Sequence, residues 1–256
     1  MKIAVSGKGG VGKTTVAALL ARLLAAEGDR VIAVDADPAP CLASALGIEN
    51  ADDIAPVTEL KDLIEERTGA KPGSMGSFFK MNPTVSDLPD KLSVEKDGVH
   101  LLLMGTVDHG GSGCVCPESV MLKALVMHLV LGQRDHLIMD MEAGVEHLGR
   151  ATATAVDVMI VVVEPGARSI RTAKRVAELA AEIGIKRIVA VVNKVRDEGD
   201  REAVAKALDP IPLLGALPYD RGAIDADLSG APPYPNLEDI PDEARQLLAA
   251  LRSHMQ

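Results

Sequence analysis

Short runs of Val, Ile and Leu alternate along the chain with stretches whose apolar residues recur at helical spacing. The short runs predict strands at residues 2–6, 30–34, 100–104, 136–140, 156–163, 187–193 and 212–217. Because these runs are continuously apolar, both faces of each strand are expected to be covered, as in a parallel sheet flanked by helices. The helical spacing predicts helices at residues 14–27, 117–130, 169–183, 200–207 and 237–251. The pattern therefore predicts a doubly wound α/β fold with a mostly parallel sheet of seven to eight strands.

One long stretch departs from this alternation. Residues 51–98 contain a helical piece at 57–68 and then a weakly periodic segment rich in Gly, Pro and Ser. We expect it to be an insertion over the sheet. Since no linker divides the remaining sequence into separately patterned halves, we expect residues 1–256 to form a single domain.

Composition narrows the classes of function. Hydrophobic residues make up 47% of the chain and aromatic residues 2%, so the core must be built from aliphatic side chains and methionine. The net charge of −10 disfavours nucleic acid and anionic membranes as partners. The apolar runs are much shorter than the roughly 20 residues of a membrane span, and the chain begins with a strand pattern instead of a signal peptide. We therefore expect a cytoplasmic protein.

A phosphate-binding motif follows the first predicted strand. Residues 7–14 read GKGGVGKT and match G-x-x-x-x-G-K-[ST] between a strand and a helix, a context that disfavours a Gly-rich turn without a ligand. Main-chain N–H groups and the helix N-terminus would face the phosphates. Lys13 is expected to neutralise the β- and γ-phosphates, and the Thr14 hydroxyl to ligate Mg²⁺. The predicted nucleotide-binding residues are Gly9, Gly10, Val11, Gly12, Lys13, Thr14 and Thr15.

Lys8 is the unusual member of this loop, because Lys13 already faces the γ-phosphate in an ordinary phosphate loop. With Lys8 the sequence resembles the deviant Walker A family, which includes the nitrogenase iron protein, MinD and the arsenite-pump ATPase. The resemblance implies that Lys8 reaches across a two-fold interface to the nucleotide on the partner subunit, as an arginine finger does. It therefore implies an ATP-binding homodimer, whereas the alternative is a solvated surface lysine.

The segment VIAVDADP at residues 31–38 places two carboxylates after a predicted strand. By resemblance it is switch I, which implies that Asp37 orients the attacking water and that Asp35 supports Mg²⁺ through water. Two acids after a strand are also typical of helix N-caps, and that alternative stays open.

The segment HLIMDMEAG at residues 136–144 resembles Walker B followed by switch II. The resemblance implies that Asp140 holds the Mg²⁺ shell and that Gly144 lets the main chain approach the γ-phosphate. Many relatives carry Thr-Pro where this chain has Met141 and Glu142, so the detailed behaviour of switch II is not carried over.

The nucleotide base is predicted from the segment NKVR that begins at Asn193. A guanine site requires a carboxylate three residues after the Asn, and that position is Arg196, so ATP is favoured over GTP. Asn193 is a candidate adenine contact, and by family analogy Pro218 is a candidate wall of the adenine site. The alternative is that Asn193 only forms a turn at the strand end.

Two of the three cysteines, Cys114 and Cys116, form a C-x-C pair between a Gly-rich loop and a predicted helix. Two thiolates cannot complete a four-ligand soft-metal site, but the pairs of two copies can meet at a two-fold axis. The alternative is a pair of buried small hydrophobic residues. The isolated Cys41 is expected to be packed.

These motifs together resemble the CooC-type nickel-inserting accessory ATPases of carbon monoxide dehydrogenase and their relatives that serve acetyl-CoA synthase. The matching segments include GKGGVGKTT, VDADP, GGSGCVCPESVMLKALVMHLVL, MDMEAGVEHLGR and VVNKVR. The resemblance implies that paired C-x-C thiolates bind Ni²⁺ or Zn²⁺, and that ATP/ADP turnover with Mg²⁺ is linked to nickel delivery to a client such as carbon monoxide dehydrogenase.

Two other functions remain as alternatives. An Fe–S carrier or electron-donating ATPase of the Mrp or iron-protein type is less favoured, because residues 141–150 contain no cysteine and the Mrp type generally uses C-x-x-C. A spatial regulator of the MinD type is less favoured because the tail at 242–256 has few basic residues and no bulky aromatic for a membrane interface.

Overall fold

A computed structural model describes residues 1–72, 78–105, 116–131, 136–145, 148 and 150–255, with the side chains of 131, 150 and 151 excepted. The strands within these ranges are β1 (Lys2–Gly7), β2 (Val31–Asp35), β3 (Val94–Lys96), β4 (Val99–Leu103), β5 (His136–Asp140), β6 (Val158–Val163), β7 (Ile188–Val195) and β8 (Leu213–Pro218).

Helices connect most of these strands. They are α1 (Lys13–Ala26), α2 (Leu42–Ala45), α3 (Lys61–Thr68), α4 (Leu88–Leu92), α5 (Pro117–Leu131), α6 (Arg150–Ala153), α7 (Ala167–Ile183), α8 (Glu198–Leu208), α9 (Arg221–Leu228) and α10 (Asp242–Met255). Short 3-10 helices lie at Ala51–Asp53, Val57–Glu59 and Leu237–Asp239. No helix of the described residues is both long enough and apolar enough to cross a bilayer.

The described strands form one eight-stranded sheet in the order β3-β4-β2-β5-β1-β6-β7-β8. All neighbouring pairs are parallel except β3 and β4. The predicted doubly wound α/β class is therefore confirmed. The sequence pattern missed β3, because three residues at a sheet edge, two of them exposed and charged, give no hydrophobic signal.

The sheet is buried on both faces because most residues of its central strands are aliphatic. All six residues of β6 are buried. On one face Ile3 packs in the same core cluster as Leu20 of α1 and Leu247 of α10. On the opposite face Ala4 belongs to a cluster with Leu125 of α5. Continuous apolar runs are thus explained by two helical layers over one sheet.

Two regions differ from the predicted helices. The helix predicted at 237–251 is divided into a 3-10 turn and α10, because Pro241 has no N–H group to continue the hydrogen-bond series. The stretch at 51–98 contains two 3-10 helices, α3, α4 and β3. That this stretch is an insertion in a single domain stays a prediction.

Candidate nucleotide and metal site

The candidate residues gather at the carboxyl ends of the parallel strands. The phosphate loop follows β1, Asp35 ends β2, Asp140 ends β5 and Asn193 lies near the end of β7. In the sheet, β1 lies between β5 and β6, and β2 lies next to β5. Open α/β sheets bind their ligands at this edge. The fold therefore brings together residues that are up to 186 positions apart in the sequence, such as Gly7 and Asn193.

Two glycines of the phosphate loop are required by contacts with later strands. A Cβ at Gly7 would lie 2.3 Å from the Val162 carbonyl oxygen, and a Cβ at Gly12 would lie 2.1 Å from Asn193 Nδ2. The φ angle of Gly12 is 93°, a left-handed conformation that side chains rarely adopt. Gly12 is also the N-cap residue of α1, which begins at Lys13.

The main-chain carbonyls of the loop are held by the end of β7. Asn193 Nδ2 donates to the Val11 carbonyl at 2.9 Å, and Lys194 Nζ donates to the Gly10 carbonyl at 2.5 Å. The Lys194 N–H donates to Asn193 Oδ1 at 2.9 Å. Lys194 was missed in the sequence, because no pattern shows that the side chain of a lysine near the end of a strand will contact the phosphate loop.

The base-site candidates lie nearby, but their contacts with adenine stay predictions. Asn193 is 8% exposed, and one of its two Nδ2 protons is donated to the Val11 carbonyl of the phosphate loop. The second Nδ2 proton would be the one to contact an adenine ring. Pro218 is exposed at the end of β8. The Tyr219 N–H donates to the Val195 carbonyl at 2.9 Å and holds this corner beside β7.

Lys13 lies against switch I in the structure. Its side chain is 8% exposed, and Nζ lies 3.6 Å from Asp37 Oδ2. Asp37 Oδ1 accepts a hydrogen bond from the Ala39 N–H at 3.0 Å. The candidate phosphate-binding cation therefore forms an ion pair with the candidate water-orienting carboxylate.

Asp35 holds the turn that follows β2. Its Oδ2 accepts from the N–H groups of Cys41 and Leu42, both at 2.9 Å, and its Oδ1 accepts from the Asp37 N–H at 3.1 Å. Burial raises the pKa of Asp35, while these three N–H groups oppose the rise. The Asp35 carboxylate thus accepts hydrogen bonds from the N–H groups at the start of α2, although it lies six residues before the N-cap residue of that helix in the sequence. This agrees with the alternative that the acids after β2 cap a helix. A water-mediated contact of Asp35 with Mg²⁺ stays a prediction.

Asp140 is fully buried, and neither of its carboxylate oxygens accepts a hydrogen bond of normal geometry from the described residues, although the Thr14 hydroxyl lies near enough to favour the charged form. Burial raises the pKa of Asp140 to about 7; the carboxylates of Asp35 and Asp37 add to the rise, and Thr14 and Lys13 oppose it. A buried carboxylate without a donor, beside a threonine hydroxyl, fits the hard oxygen ligands that Mg²⁺ prefers. The residues present therefore fit Mg²⁺.

Ser6 joins the end of β1 to switch II. Its buried hydroxyl donates towards the carbonyls of Glu142 at 2.7 Å and Gly144 at 3.0 Å, and it accepts from the Gly144 N–H at 3.2 Å. Ser6 was missed at the sequence level. A single polar residue at the end of an otherwise apolar strand was the available signal.

Lys8 lies at the rim of the site. Its Nζ is 3.8 Å from Oε1 of Glu164, which follows β6, and the side chain is 39% exposed. Glu164 was also missed, because the sequence did not show that the end of β6 lies beside the phosphate loop.

Of the C-x-C pair, Cys114 lies outside the described residues and Cys116 immediately precedes α5. Cys116 Sγ accepts from the Ser119 N–H at 3.4 Å, so the sulfur is at the helix N-terminus. Since α5 follows β4 in a parallel connection, this terminus faces the same sheet edge as the phosphate loop. Cys41, expected to be packed, is instead exposed before α2, where the chain turns around the carboxylate of Asp35.

A parallel sheet with a glycine loop between β1 and α1, and with carboxylates at the neighbouring strand ends, defines a P-loop nucleotide-binding protein. Residues 2–233 match the family described as the CobQ/CobB/MinD/ParA nucleotide binding domain. The chain is 44% identical over 253 residues to the carbon monoxide dehydrogenase accessory protein CooC of Rhodospirillum rubrum, covering 98% of this chain and 96% of that protein.

Two further comparisons give the same family. An ATP-binding protein of Methanocaldococcus jannaschii is 48% identical over 235 residues, covering 91% of this chain and 90% of the relative. The structure of MinD from Pyrococcus horikoshii with Mg-ADP has a TM-score of 0.65 at 20% identity, covering 100% of this chain and 98% of that one. The chain belongs to the CobQ/CobB/MinD/ParA family of nucleotide-binding domains. Its resemblance to CooC-type P-loop ATPases is confirmed.

Proposed function

We propose that this protein is an ATP-hydrolysing, homodimeric metallochaperone that binds Ni²⁺ or Zn²⁺ through Cys114 and Cys116 of two subunits. Its client is a nickel enzyme, carbon monoxide dehydrogenase or a relative of it. The observation that carries the proposal is the position of Cys116, at the N-terminus of α5 and towards the nucleotide edge of the sheet. The 44% identity to CooC over almost the whole chain supports the same assignment.

ATP binding follows from the loop geometry. The N–H groups of residues 9–15 and the Lys13 ammonium would hold the phosphates. Thr14 and Asp140 would hold Mg²⁺, which neutralises charge on the phosphate oxygens when it is bound. Because Lys13 contacts Asp37 at 3.6 Å, a phosphate that draws Lys13 away leaves Asp37 Oδ2 able to accept a proton from the attacking water.

The second subunit supplies what one subunit lacks. Lys8 from the partner would add a cation to the γ-phosphate, as an arginine finger does. One C-x-C pair offers two thiolates, so two copies are needed for a four-sulfur site. The helix N-terminus at Cys116 favours negative charge on the sulfur, and the thiolate is the metal-binding form. ATP and metal would then promote the same dimer, and each would raise the affinity for the other.

The charge of the protein is consistent with a small-ion cargo and a protein client. A net charge of −10 attracts cations and repels nucleic acid and anionic lipid. We therefore propose that it acts in the cytoplasm without a membrane or nucleic-acid partner.

The test is anaerobic equilibrium dialysis against Ni²⁺ and Zn²⁺, with and without a non-hydrolysable ATP analogue, combined with sedimentation equilibrium. We expect one ion for every two chains and a dimer promoted by the analogue. The Cys114→Ser/Cys116→Ser variant should lose the ion while retaining nucleotide binding. Cys41→Ser is the matched control, because it removes an exposed thiol from the same face of the protein.

Three outcomes would contradict the proposal. One ion per chain that persists in the double Ser variant would exclude a shared site. Iron with stoichiometric sulfide would support the Fe–S carrier. A nucleotide-loaded protein that stays monomeric would remove the role proposed for Lys8.

A further inference from the structure

We infer that Glu164 is the resting partner of Lys8 in the isolated subunit, and that this contact sets how readily ATP drives dimerisation. The inference rests on the proposed function, because it concerns the lysine that is expected to cross the dimer interface. It assigns a positioning role to a residue outside the phosphate loop and the two switch segments.

Glu164 lies between two lysines of the nucleotide site. Its Oε1 is 3.8 Å from Lys8 Nζ, and its Oε2 is 3.6 Å from Lys194 Nζ. Lys194 in turn donates to the Gly10 carbonyl at 2.5 Å. One carboxylate therefore contacts the signature lysine and the lysine that braces the phosphate loop.

The main chain of Glu164 is anchored, whereas Lys8 lies on an exposed loop. The Glu164 N–H donates to Ser169 Oγ at 3.1 Å, and Ser169 is 2% exposed in the first turn of α7. Lys8 lies on the exposed rim of the loop, next to Gly9 and Gly10, which are both exposed. Glu164 thus offers a negative charge on an anchored main chain to a long side chain that can turn either towards it or away from its own subunit.

The contact is weak enough to be reversible. The Lys8 and Glu164 side chains are 39% and 29% exposed, and 3.8 Å exceeds the length of a hydrogen-bonded ion pair. Such pairs contribute little stability and are screened by salt. A Lys8 that is held by Glu164 is nevertheless not available to the partner's nucleotide, so the fraction held reduces the apparent affinity of dimerisation.

The experiment compares wild type with Glu164→Gln by sedimentation equilibrium in a saturating non-hydrolysable ATP analogue with Mg²⁺. The variant keeps the shape of the side chain and removes its charge. Two such pairs open for each dimer formed, so we expect the dimer dissociation constant to fall by about four- to twenty-fold at low salt. The gain should shrink in 0.5 M NaCl, because salt already weakens the wild-type pair.

Glu178→Gln is the matched control. Glu178 lies on α7 and forms an exposed pair with Arg175, so its replacement removes the same charge and an ion pair away from Lys8. If Glu178→Gln tightens the dimer equally, the effect is due to net charge and the inference is wrong. In a Lys8→Ala background, measured at protein concentrations high enough to populate the weakened dimer, Glu164→Gln should have no further effect; a gain that persists there would also contradict the inference.

The Lys8→Ala variant alone separates this inference from the proposed function. If Lys8→Ala dimerises as tightly as wild type, the proposed crossing lysine is wrong, whatever Glu164 does. If Lys8→Ala abolishes the dimer while Glu164→Gln leaves it unchanged, the proposed function stands and the role of Glu164 falls.

Discussion

The phosphate loop and the two switch segments lie at the same edge of the sheet, but different kinds of contact hold them. The loop is fixed by the amide of Asn193 and the ammonium of Lys194, both of which bond its main-chain carbonyls. The switch segments are held by Lys13 at Asp37 and by Ser6 at Gly144. Lys13, Asp37 and Gly144 are groups for which we propose roles with ATP.

The loop is held by contacts with other parts of the protein, so little reorganisation is needed to present its N–H groups to phosphate. The switch segments are held by side chains and main-chain groups for which we propose contacts with ATP and Mg²⁺. A nucleotide that exchanges one set of contacts for another can bias a conformational change, which is the requirement for a switch.

The largest expected effect on stability comes from adding a side chain to the phosphate loop. Gly12→Ala combines a left-handed φ of 93° with a Cβ that would lie only 2.1 Å from Asn193 Nδ2. We expect it to lower the free energy of unfolding by about 4 kcal/mol and to abolish nucleotide binding. Urea denaturation and fluorescent-nucleotide titration measure the two effects.

The neighbouring loop residue provides the control. A Cβ at Gly9 would meet no atom within 4 Å, and its φ is not left-handed. Gly9→Ala should therefore change stability by less than about 0.5 kcal/mol. Equal destabilisation by both substitutions would mean that the loop is not braced at Gly12 as described.

Asp140→Asn should act in the opposite direction on the free protein. The carboxylate is buried without a donor, so removing its charge should raise the free energy of unfolding by about 2 kcal/mol near pH 8. The same variant should lose ATP hydrolysis by about 100-fold or more, because the proposed Mg²⁺ ligand is gone. Stability is measured by urea denaturation and activity by phosphate release.

The pH dependence of that gain follows from linkage. Burial raises the pKa of Asp140 to about 7, so between about pH 4 and 7 the folded protein holds a proton that the unfolded chain has released. Wild-type stability from this group therefore falls as the pH rises through that range, and the advantage of Asp140→Asn should grow and then level off above about pH 8. A gain that is independent of pH would contradict the assignment.

The smallest effect is expected at the contact between β1 and switch II. Ser6→Ala removes a buried hydroxyl with three main-chain contacts, at a cost of about 1–2 kcal/mol. If the contact holds switch II at rest, the variant should also show faster hydrogen exchange at residues 142–145 without ATP. Equal protection in both proteins would leave Ser6 a structural role only. Ser6→Cys, of similar volume and with a weak donor, should lie between wild type and Ser6→Ala.

The sequence was sufficient for the architecture, and it located the candidate phosphate loop between β1 and α1, where the structure has it. Repeated aliphatic runs identified the parallel sheet, and the glycine spacing before Lys13 identified the phosphate loop, since both depend on local order along the chain. Asp37, Asp140 and Gly144 were assigned by resemblance. They lie at or just after the ends of the neighbouring strands β2 and β5, and their roles stay predictions.

The supporting residues could not be predicted in this way. Glu164, Lys194 and Ser6 act on segments 130 or more positions away, so their roles depend on strand order and side-chain direction. The same limit applies to Asn193. The sequence identified it as a base contact or a turn residue, while the structure shows it bonded to the Val11 carbonyl.

The central position of β1 has a consequence for the order in which the protein can be built. Its two neighbours in the sheet, β5 and β6, begin at His136 and Val158, and the brace for the loop arrives only with Ile188–Val195. During synthesis the complete glycine motif leaves the ribosome long before any of these partners. Roughly three quarters of the chain must therefore be synthesised before the nucleotide site can acquire its shape. Folding of this site depends on contacts between residues that are far apart in the sequence.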